Sequence, residues 1–493
     1  MRRRLVLVAL VSVLAAACTS EGNRAQSVRI PIDASPASPS PAPIEIPSSR
    51  PEHPAGSGEL GLKWNWAQPD TFPFVRDTSG GWTFYEVEWC DIEPRPGHLD
   101  WIRLDEVVRD ARLLGHEPML KLRTGRCWGT TPASGAARDT TEAASKEPST
   151  PPVHMQTYLT FVRSVVHRYS ARGVHQYAIE NEPDVANFWA ASISDYRRLA
   201  SRVAPVIRAA DPRARVLDAG TSSTGYGVVL AHARLRHGHP NAALRTYQRY
   251  YARRLKAGMS RWPAVDDLRE LRAVLRTGPA RRAVHAVNVS IRLMNAHTVD
   301  VYQLHYYEPT SELPKVLGYL DQRLHHDAPV EAWEIGVAWP GGSFASKSQA
   351  DETFRLVGRL LAGGVRRIVY LPVAFTPDGQ KQVFRGLIEV DGTPLPAGNG
   401  WIALVAALTG VDGGTLAPVV GDLAGAAWTA GGRDAAIVWA RHGSVPLDPG
   451  DVDRLVDATG AEVDGPPVVG RRPVLVLGSV GGDLTHRLGH GRH

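Results

Sequence analysis

Residues 178–184 read Ala178-Ile179-Glu180-Asn181-Glu182-Pro183-Asp184, directly after the helix-patterned run at 155–173. The apolar residues Tyr177 to Ile179 have the character of a short buried strand, and Pro183 closes it. A buried strand that ends in two carboxylates around an Asn has a place in a fold whose strand ends form a working surface, and the flanking sequence predicts such a fold. From about Leu60 to Ala407, short β-rich runs alternate with amphipathic helical runs, the signature of a parallel α/β architecture. Strands are expected at 60–66, 82–89, 118–125, 176–181, 215–220, 299–307, 330–336 and 367–375, which makes eight. Helical patterns at 104–115, 155–173, 194–211 and 348–364 carry apolar residues every three or four positions, and most end in Gly or Asp-Pro.

Eight such units predict an α/β fold, a (β/α)8 TIM barrel spanning 59–408, with chemistry at the C-terminal ends of the strands. Glu182 falls at that end of the fourth strand, and Glu334, in "EAWEIG", at the same end of the seventh. Two carboxylates across a barrel mouth suit double displacement at an anomeric carbon, one protonating the leaving oxygen and the other attacking. Aromatic residues near the expected mouth, Trp64, Trp128 and Trp333 among them, offer faces on which sugar rings stack.

The rest of the 493 residues divides around this barrel. The chain opens "MRRRLVLVALVSVLAAACTS": three arginines, an apolar run from Leu5 to Ala17 and then Cys18. The run is too short for a mature membrane span and resembles a bacterial lipoprotein signal over residues 1–18, with Cys18 as the lipidated residue. An ordinary secretory signal is the alternative. Residues 19–58, rich in Pro, Ser and Ala, form a semi-rigid spacer between anchor and catalytic body. The remaining cysteines, Cys90 and Cys127, lie just past the ends of strands two and three, where an oxidising exterior favours a disulfide and two buried thiols are the alternative. From 409 to 480 the texture changes to short alternating runs, which predicts a small antiparallel, sandwich-like β domain, and the tail 481–493 is expected to be disordered.

The formal charge is +6, but only seven of the 56 basic residues are Lys and the remainder are Arg. With abundant Ala and Gly, that bias points to a GC-rich coding sequence and not to a nucleic-acid partner. The chain has no Walker loop, dinucleotide glycine fingerprint, CxxC pair or HExxH motif, so no cofactor and no metal are expected. The excursion at 226–298, between strands five and six, holds two helix-like stretches with many Arg. It suits a solvated surface, a lid for anionic glycans through Arg245, Arg249 and Arg253, or a patch that meets anionic lipid.

Asn181-Glu182-Pro183 on strand four, His305 and Tyr307 in "LHYYE" on strand six and Glu334 in "WEIG" on strand seven resemble glycoside hydrolase clan A, within it most closely family 39, the β-xylosidase and α-L-iduronidase group. "EWCDIEPRPGHLDWIRLDEVVRDARLLGHEPML" and "GLIEVDGTPLPAGNGW" extend the likeness, which covers about 60–480. The resemblance implies a retaining glycosidase with Glu182 as acid/base, Glu334 as nucleophile, Asn181 on the sugar's 2-hydroxyl and Tyr307 orienting Glu334. A scaffold protein that binds sugar and has lost turnover is the alternative. Many clan members support the nucleophile with an Arg on strand two, where this chain has Glu86 and Glu88. Glu180 is expected to pair with Lys121 or Arg123 of strand three in a structural role.

Overall fold

The computed structural model describes residues 58–132, 148–256, 260–338, 346–374, 384–411, 414–479 and 484–490. Cys18, the leader and all but the last residue of the expected spacer lie outside them, as does Trp339, another of the aromatics expected near the mouth. Among the described residues no helix is long and apolar enough to cross a membrane.

Eight parallel strands form the barrel: β1 (Leu60–Leu62), β2 (Trp82–Glu88), β3 (Glu117–Arg123), β4 (Gln176–Ile179), β5 (Arg215–Leu217), β6 (Tyr302–Tyr306), β7 (Val330–Ile335) and β8 (Ile368–Tyr370). They fall into two four-stranded sheets, β2-β3-β4-β5 and β1-β8-β7-β6. The parallel bridges Leu217↔Val301 and Thr221↔Leu304 join the sheets on one side. On the other, β1 and β2 meet through glycines. A Cβ on Gly61 would stand 2.1 Å from the Trp82 carbonyl oxygen, and one on Gly81 1.8 Å from that of Leu60. Only bare backbone lets the two edges close.

Helices cover the outside as the periodicity requires. α1 (Ile102–Leu113), α2 (Met155–Ser170) and α3 (Ile193–Ala210) follow β2, β3 and β4. α2 buries Tyr158, Phe161, Val162, Val165, Val166 and Tyr169 on one stripe, and α3 starts at a Ser192–Asp195 capping box. Between β5 and β6 the excursion folds into four helices where two were expected: α4 (Ser223–Arg236), α5 (Pro240–Lys256), α6 (Leu268–Leu275) and α7 (Gly278–Asn295). α8 (Leu313–Asp321), α9 (Ser346–Ala362) and α10 (Pro396–Leu408) complete the ring.

Beyond the barrel, four long antiparallel strands, β9 (Leu423–Ala430), β10 (Arg433–Ala440), β11 (Val452–Asp457) and β12 (Val474–Gly478), form one sheet with the short strand 417–418. Their side chains alternate between two cores. Ala426, Trp428, Ile437 and Trp439 join the main core with the barrel helices, while Ala427, Ala436, Val438 and Val476 join a separate cluster on the other face. The expectation of a disordered tail is corrected here, because residues 484–490 form a helix that docks on this second face. Leu484 is buried there, Leu488 packs beside it, and Thr485 N–H donates to Asp434 Oδ2 at 2.8 Å. An apolar pair at i, i+4 is what lets so short a segment hold its place.

Candidate active site

The two glutamates reach the barrel mouth through backbone irregularities. β4 ends at Ile179 because Glu180 and Glu182 both adopt positive φ, 68° and 37°, which no strand sustains. The turn swings Glu180 back toward β3, where its Oε1 accepts from Thr124 N at 2.7 Å, and leaves Glu182 at the rim. On β7 the register slips: Gln303 faces Glu331, but His305 faces Glu334, so one extra residue is inserted on β7. This bulge re-aims the side chains, and Glu334 turns into the barrel although Trp333 beside it is also interior.

One oxygen of Glu182, one of Glu334 and a ring nitrogen of His305 lie within 4.8 Å of one another. Glu334 is almost fully buried at 1% exposure and Glu182 somewhat less so at 8%. His305 Nδ1 is 2.9 Å from Glu182 Oε1 and 3.5 Å from Glu334 Oε2. Its Nε2 is 3.0 Å from Gln303 Oε1, while Gln303 Nε2 donates to the Asp218 carbonyl at 2.6 Å. That second bond fixes the Gln303 amide, so Oε1 is the acceptor and His305 Nε2 carries a hydrogen. Nδ1 and Glu182 Oε1 therefore share a proton held on one or the other. Gly220, at φ 73°, makes room for the ring, since a Cβ there would lie 2.3 Å from His305 Nε2.

Tyr307 donates to Glu334 Oε2 at 3.4 Å, the contact that the resemblance implies. The other oxygen, Oε1, accepts from the Lys121 ammonium, which also donates to Asn181 Oδ1 at 3.0 Å. Burial pushes the Glu334 carboxyl up, but His305 and Lys121 together outweigh it and hold its pKa below the ordinary glutamate value. The expected pairing of Glu180 with strand three is met only by Arg123, whose Nε stands 3.9 Å from Glu180 Oε2 and whose Nη1 donates to Glu86 at 2.7 Å and Glu88 at 2.9 Å. Lys121 was open to the same pairing, and it points the other way, at Glu334. The signal in the sequence was the missing strand-two Arg, which leaves the cation beside Glu334 to be found elsewhere.

Two of the expected sugar platforms are corrected. Trp64 is 2% exposed and packs outward, its ring 4.5 Å from Trp66 and 5.3 Å from His116. Leu60, Leu62 and Trp64 share the outer face of β1 and its extension, under the helices. Trp333 is fully buried in the barrel interior, edge-on to Trp82 and donating to Glu331 Oε2 at 2.8 Å. Trp128 is different. It is 40% exposed in the loop after β3, with its indole N–H held by the Glu93 carbonyl at 2.8 Å and its ring 5.0 Å from Trp89. Next to it Cys127 is joined to Cys90, with Cα atoms 5.4 Å apart.

The arginines of the excursion nearest the site are engaged inward. Arg254 pairs with Glu308 just past β6, Arg253 donates to the Tyr307 carbonyl at 3.1 Å, and Arg282 donates to the carbonyls of Pro183, Trp189 and Ala191. Arg245 and Arg249 are exposed. Of the three arginines named for a lid, Arg253 therefore braces a strand end and Arg245 and Arg249 face solvent.

A (β/α)8 barrel with a small β domain and facing glutamates at the C-terminal ends of its fourth and seventh strands has the fold of the clan A glycoside hydrolases. No family model and no curated protein matches the chain. Among solved structures, the chain is similar to a family 39 glycoside hydrolase from the gut symbiont Bacteroides cellulosilyticus WH2, at 15% identity and a TM-score of 0.54 over 87% of this chain and 83% of that one. It is also similar to a family 30 endoxylanase from Clostridium papyrosolvens C71, at 11% identity and TM-score 0.52 over 87% and 98%. A family 39 β-xylosidase from Caulobacter crescentus matches at 14% identity and TM-score 0.51, again over 87% and 98%. At such identities the likeness is one of fold.

Proposed function

We propose that this protein is a retaining glycoside hydrolase that cleaves O-glycosidic bonds by double displacement. The observation that carries the reading is the spacing of Glu182 and Glu334, whose facing oxygens lie within 4.8 Å. Retaining enzymes hold their carboxyls about 5–5.5 Å apart, whereas inverting enzymes need about 6.5–9.5 Å for a water. Glu334 Oε2 attacks the anomeric carbon as Glu182 delivers its proton to the departing oxygen; Glu182 then takes a proton from water as water displaces Glu334. The asymmetry of the site fits these roles. Glu334 is buried and held ionised from two sides, while Glu182 stands at the rim, sharing a proton with His305. Asn181 Nδ2 is buried without a hydrogen-bond partner, a donor available to the sugar's 2-hydroxyl. Trp128 offers an exposed ring face in the loop after β3.

The test is turnover of a panel of aryl glycosides. Glu334→Ala should abolish it and azide should restore it, giving a glycosyl azide of inverted configuration, while Glu182→Ala should spare substrates with good leaving groups. Near wild-type activity of Glu334→Ala on a proven substrate would sink the assignment. We further infer from residues 1–58 that the enzyme is exported and tethered by lipid on Cys18, so that its substrate is an extracellular or cell-envelope glycan.

A further inference from the structure

We propose that Lys121 is the positioning residue of this site, the cation that orients the nucleophile Glu334 and at the same time fixes which end of the Asn181 amide faces the substrate. The inference rests on the hydrolase reading above and goes beyond it.

Lys121 lies in the middle of β3, in register between Glu86 of β2 and Ala178 of β4. It is fully buried, and it reaches across the barrel to β7. An ammonium inside a barrel is costly unless every donor is directed, and an aliphatic side chain would fill the same space at less cost. Here the donors are directed. One meets Glu334 Oε1, one meets Asn181 Oδ1 at 3.0 Å, and the charge stands 4.2 Å from the centre of the Phe84 ring. Arg123, two residues along on the same face, serves the cluster of Glu86, Glu88 and Glu180. Lys121 is outside that cluster and is spent on the two residues expected to touch the sugar.

Two consequences follow. A Lys offers only donors, so it accepts no amide hydrogen, and the Asn181 oxygen must turn toward it. Nδ2 then points away as the unpartnered donor. On Glu334, Oε1 is held by the ammonium, while Oε2, on the side of Glu182, has the longer contacts to Tyr307 at 3.4 Å and His305 at 3.5 Å. Oε2 therefore forms the glycosyl ester and Oε1 becomes its carbonyl oxygen, still held by the ammonium. When water breaks the ester, the charge returns to Glu334 beside a cation already in place, which favours the second step. The charged and titratable groups described facing Glu334 are Lys121 from β3, His305 from β6 and Tyr307 just past it, Glu182 from the loop after β4 and Glu86 from β2. Of these, Lys121 is the fixed cation in direct contact.

The experiment uses the full chain. Once wild type turns over an aryl glycoside and Glu334→Ala does not, Lys121→Met and Lys121→Arg are compared across pH. An opposite charge at contact distance moves a carboxyl by about 1–3 pH units. The acid limb of kcat/KM should therefore rise by about one unit or more in Lys121→Met and stay low in Lys121→Arg, with kcat reduced in both. Lys121→Met should also show a burst of released phenol with a good leaving group, because ester hydrolysis is the step that loses its support. An unmoved acid limb and no burst would overturn the proposal. If Lys121→Met does not fold, the comparison passes to Lys121→Gln and Lys121→Arg with the same readouts. If wild type turns over no glycoside, the hydrolase reading fails separately. Carbon-13 titration of the Glu334 carboxyl, assigned by its loss in Glu334→Gln, then still decides whether Lys121 controls that charge: an equal midpoint in wild type and Lys121→Gln would overturn it.

Discussion

Removing the Arg254 guanidinium should unlatch the active-site end of β6. Its Nε lies 2.8 and 2.9 Å from the two oxygens of Glu308, and Nη2 lies 2.5 Å from Oε1. Arg254 is 1% and Glu308 2% exposed, with Ser223 as a further donor to Glu308. Arg254→Leu removes the guanidinium bonded to the buried Glu308 carboxylate and leaves it the Ser223 hydroxyl and the charge of the neighbouring Arg253, and losing one partner of such a pair costs about 3–5 kcal/mol. Urea unfolding followed by Trp fluorescence should show a fall of that size. Arg254→Leu/Glu308→Leu should recover most of it, since an apolar pair in a dry site costs little. Because Glu308 follows Tyr307, the single variant should also weaken the Tyr307–Glu334 contact and lower kcat. Arg245→Gln/Arg249→Gln, on the exposed face of the same helix, should stay within about 0.5 kcal/mol of wild type. An Arg254→Leu variant equally close to wild type would refute the view that this excursion braces the site.

Three further outcomes are expected. Burial raises Asp218 from 3.8 to about 6 despite the Gln303 N–H it accepts, so its contribution to stability is full below about 3.8 and falls as pH rises toward 6, by about 3 kcal/mol. Asp218→Asn should flatten that fall in unfolding measured from pH 4 to 7, and an unchanged slope would contradict the assignment. Cys90→Ser/Cys127→Ser opens a loop of 37 residues and should cost about 2–4 kcal/mol; free alkylation of both wild-type cysteines without reductant would exclude the bond. Fatty-acid labelling in cells should mark wild type and spare Cys18→Ala, and equal labelling would discard the anchor.

The barrel was legible because its repeating unit is. The helices show a 3.6-residue stripe and β-rich runs separate them, so Glu182 and Glu334 could be assigned to strands four and seven without coordinates. Facing was not legible. Barrel strands are buried on both sides, one by the helices and one by the interior, so an apolar run does not say which parity points inward. Trp64 was placed at the mouth on that account, yet it shares the outer face with Leu60 and Leu62. The helix at 484–490 was missed because two leucines among Gly, His and Arg read as tail until a sheet face is there to receive them.

What decides the chemistry sits where periodicity breaks. A regular β4 would send Glu180 and Glu182 to the same face, and both would crowd one side of the barrel. Positive φ at both residues sends Glu180 to Thr124 and Arg123 and leaves Glu182 for His305. A regular β7 with Trp333 inside would point Glu334 at the helices. The bulge brings it in. Each departure carries a local cost, about 1–3 kcal/mol for a non-glycine residue at positive φ, and persists only where its surroundings over-determine it. Those surroundings are the hydrogen bonds of Glu180 to Thr124, the clamp of Arg282 on the Pro183 carbonyl, and the Lys121 and Tyr307 contacts that receive Glu334. Of that support, Thr124 and Arg282 hold the side of Glu182 and Tyr307 that of Glu334, while His305 meets both carboxylates and Lys121 ties Glu334 to Asn181, so the two sides are positioned together.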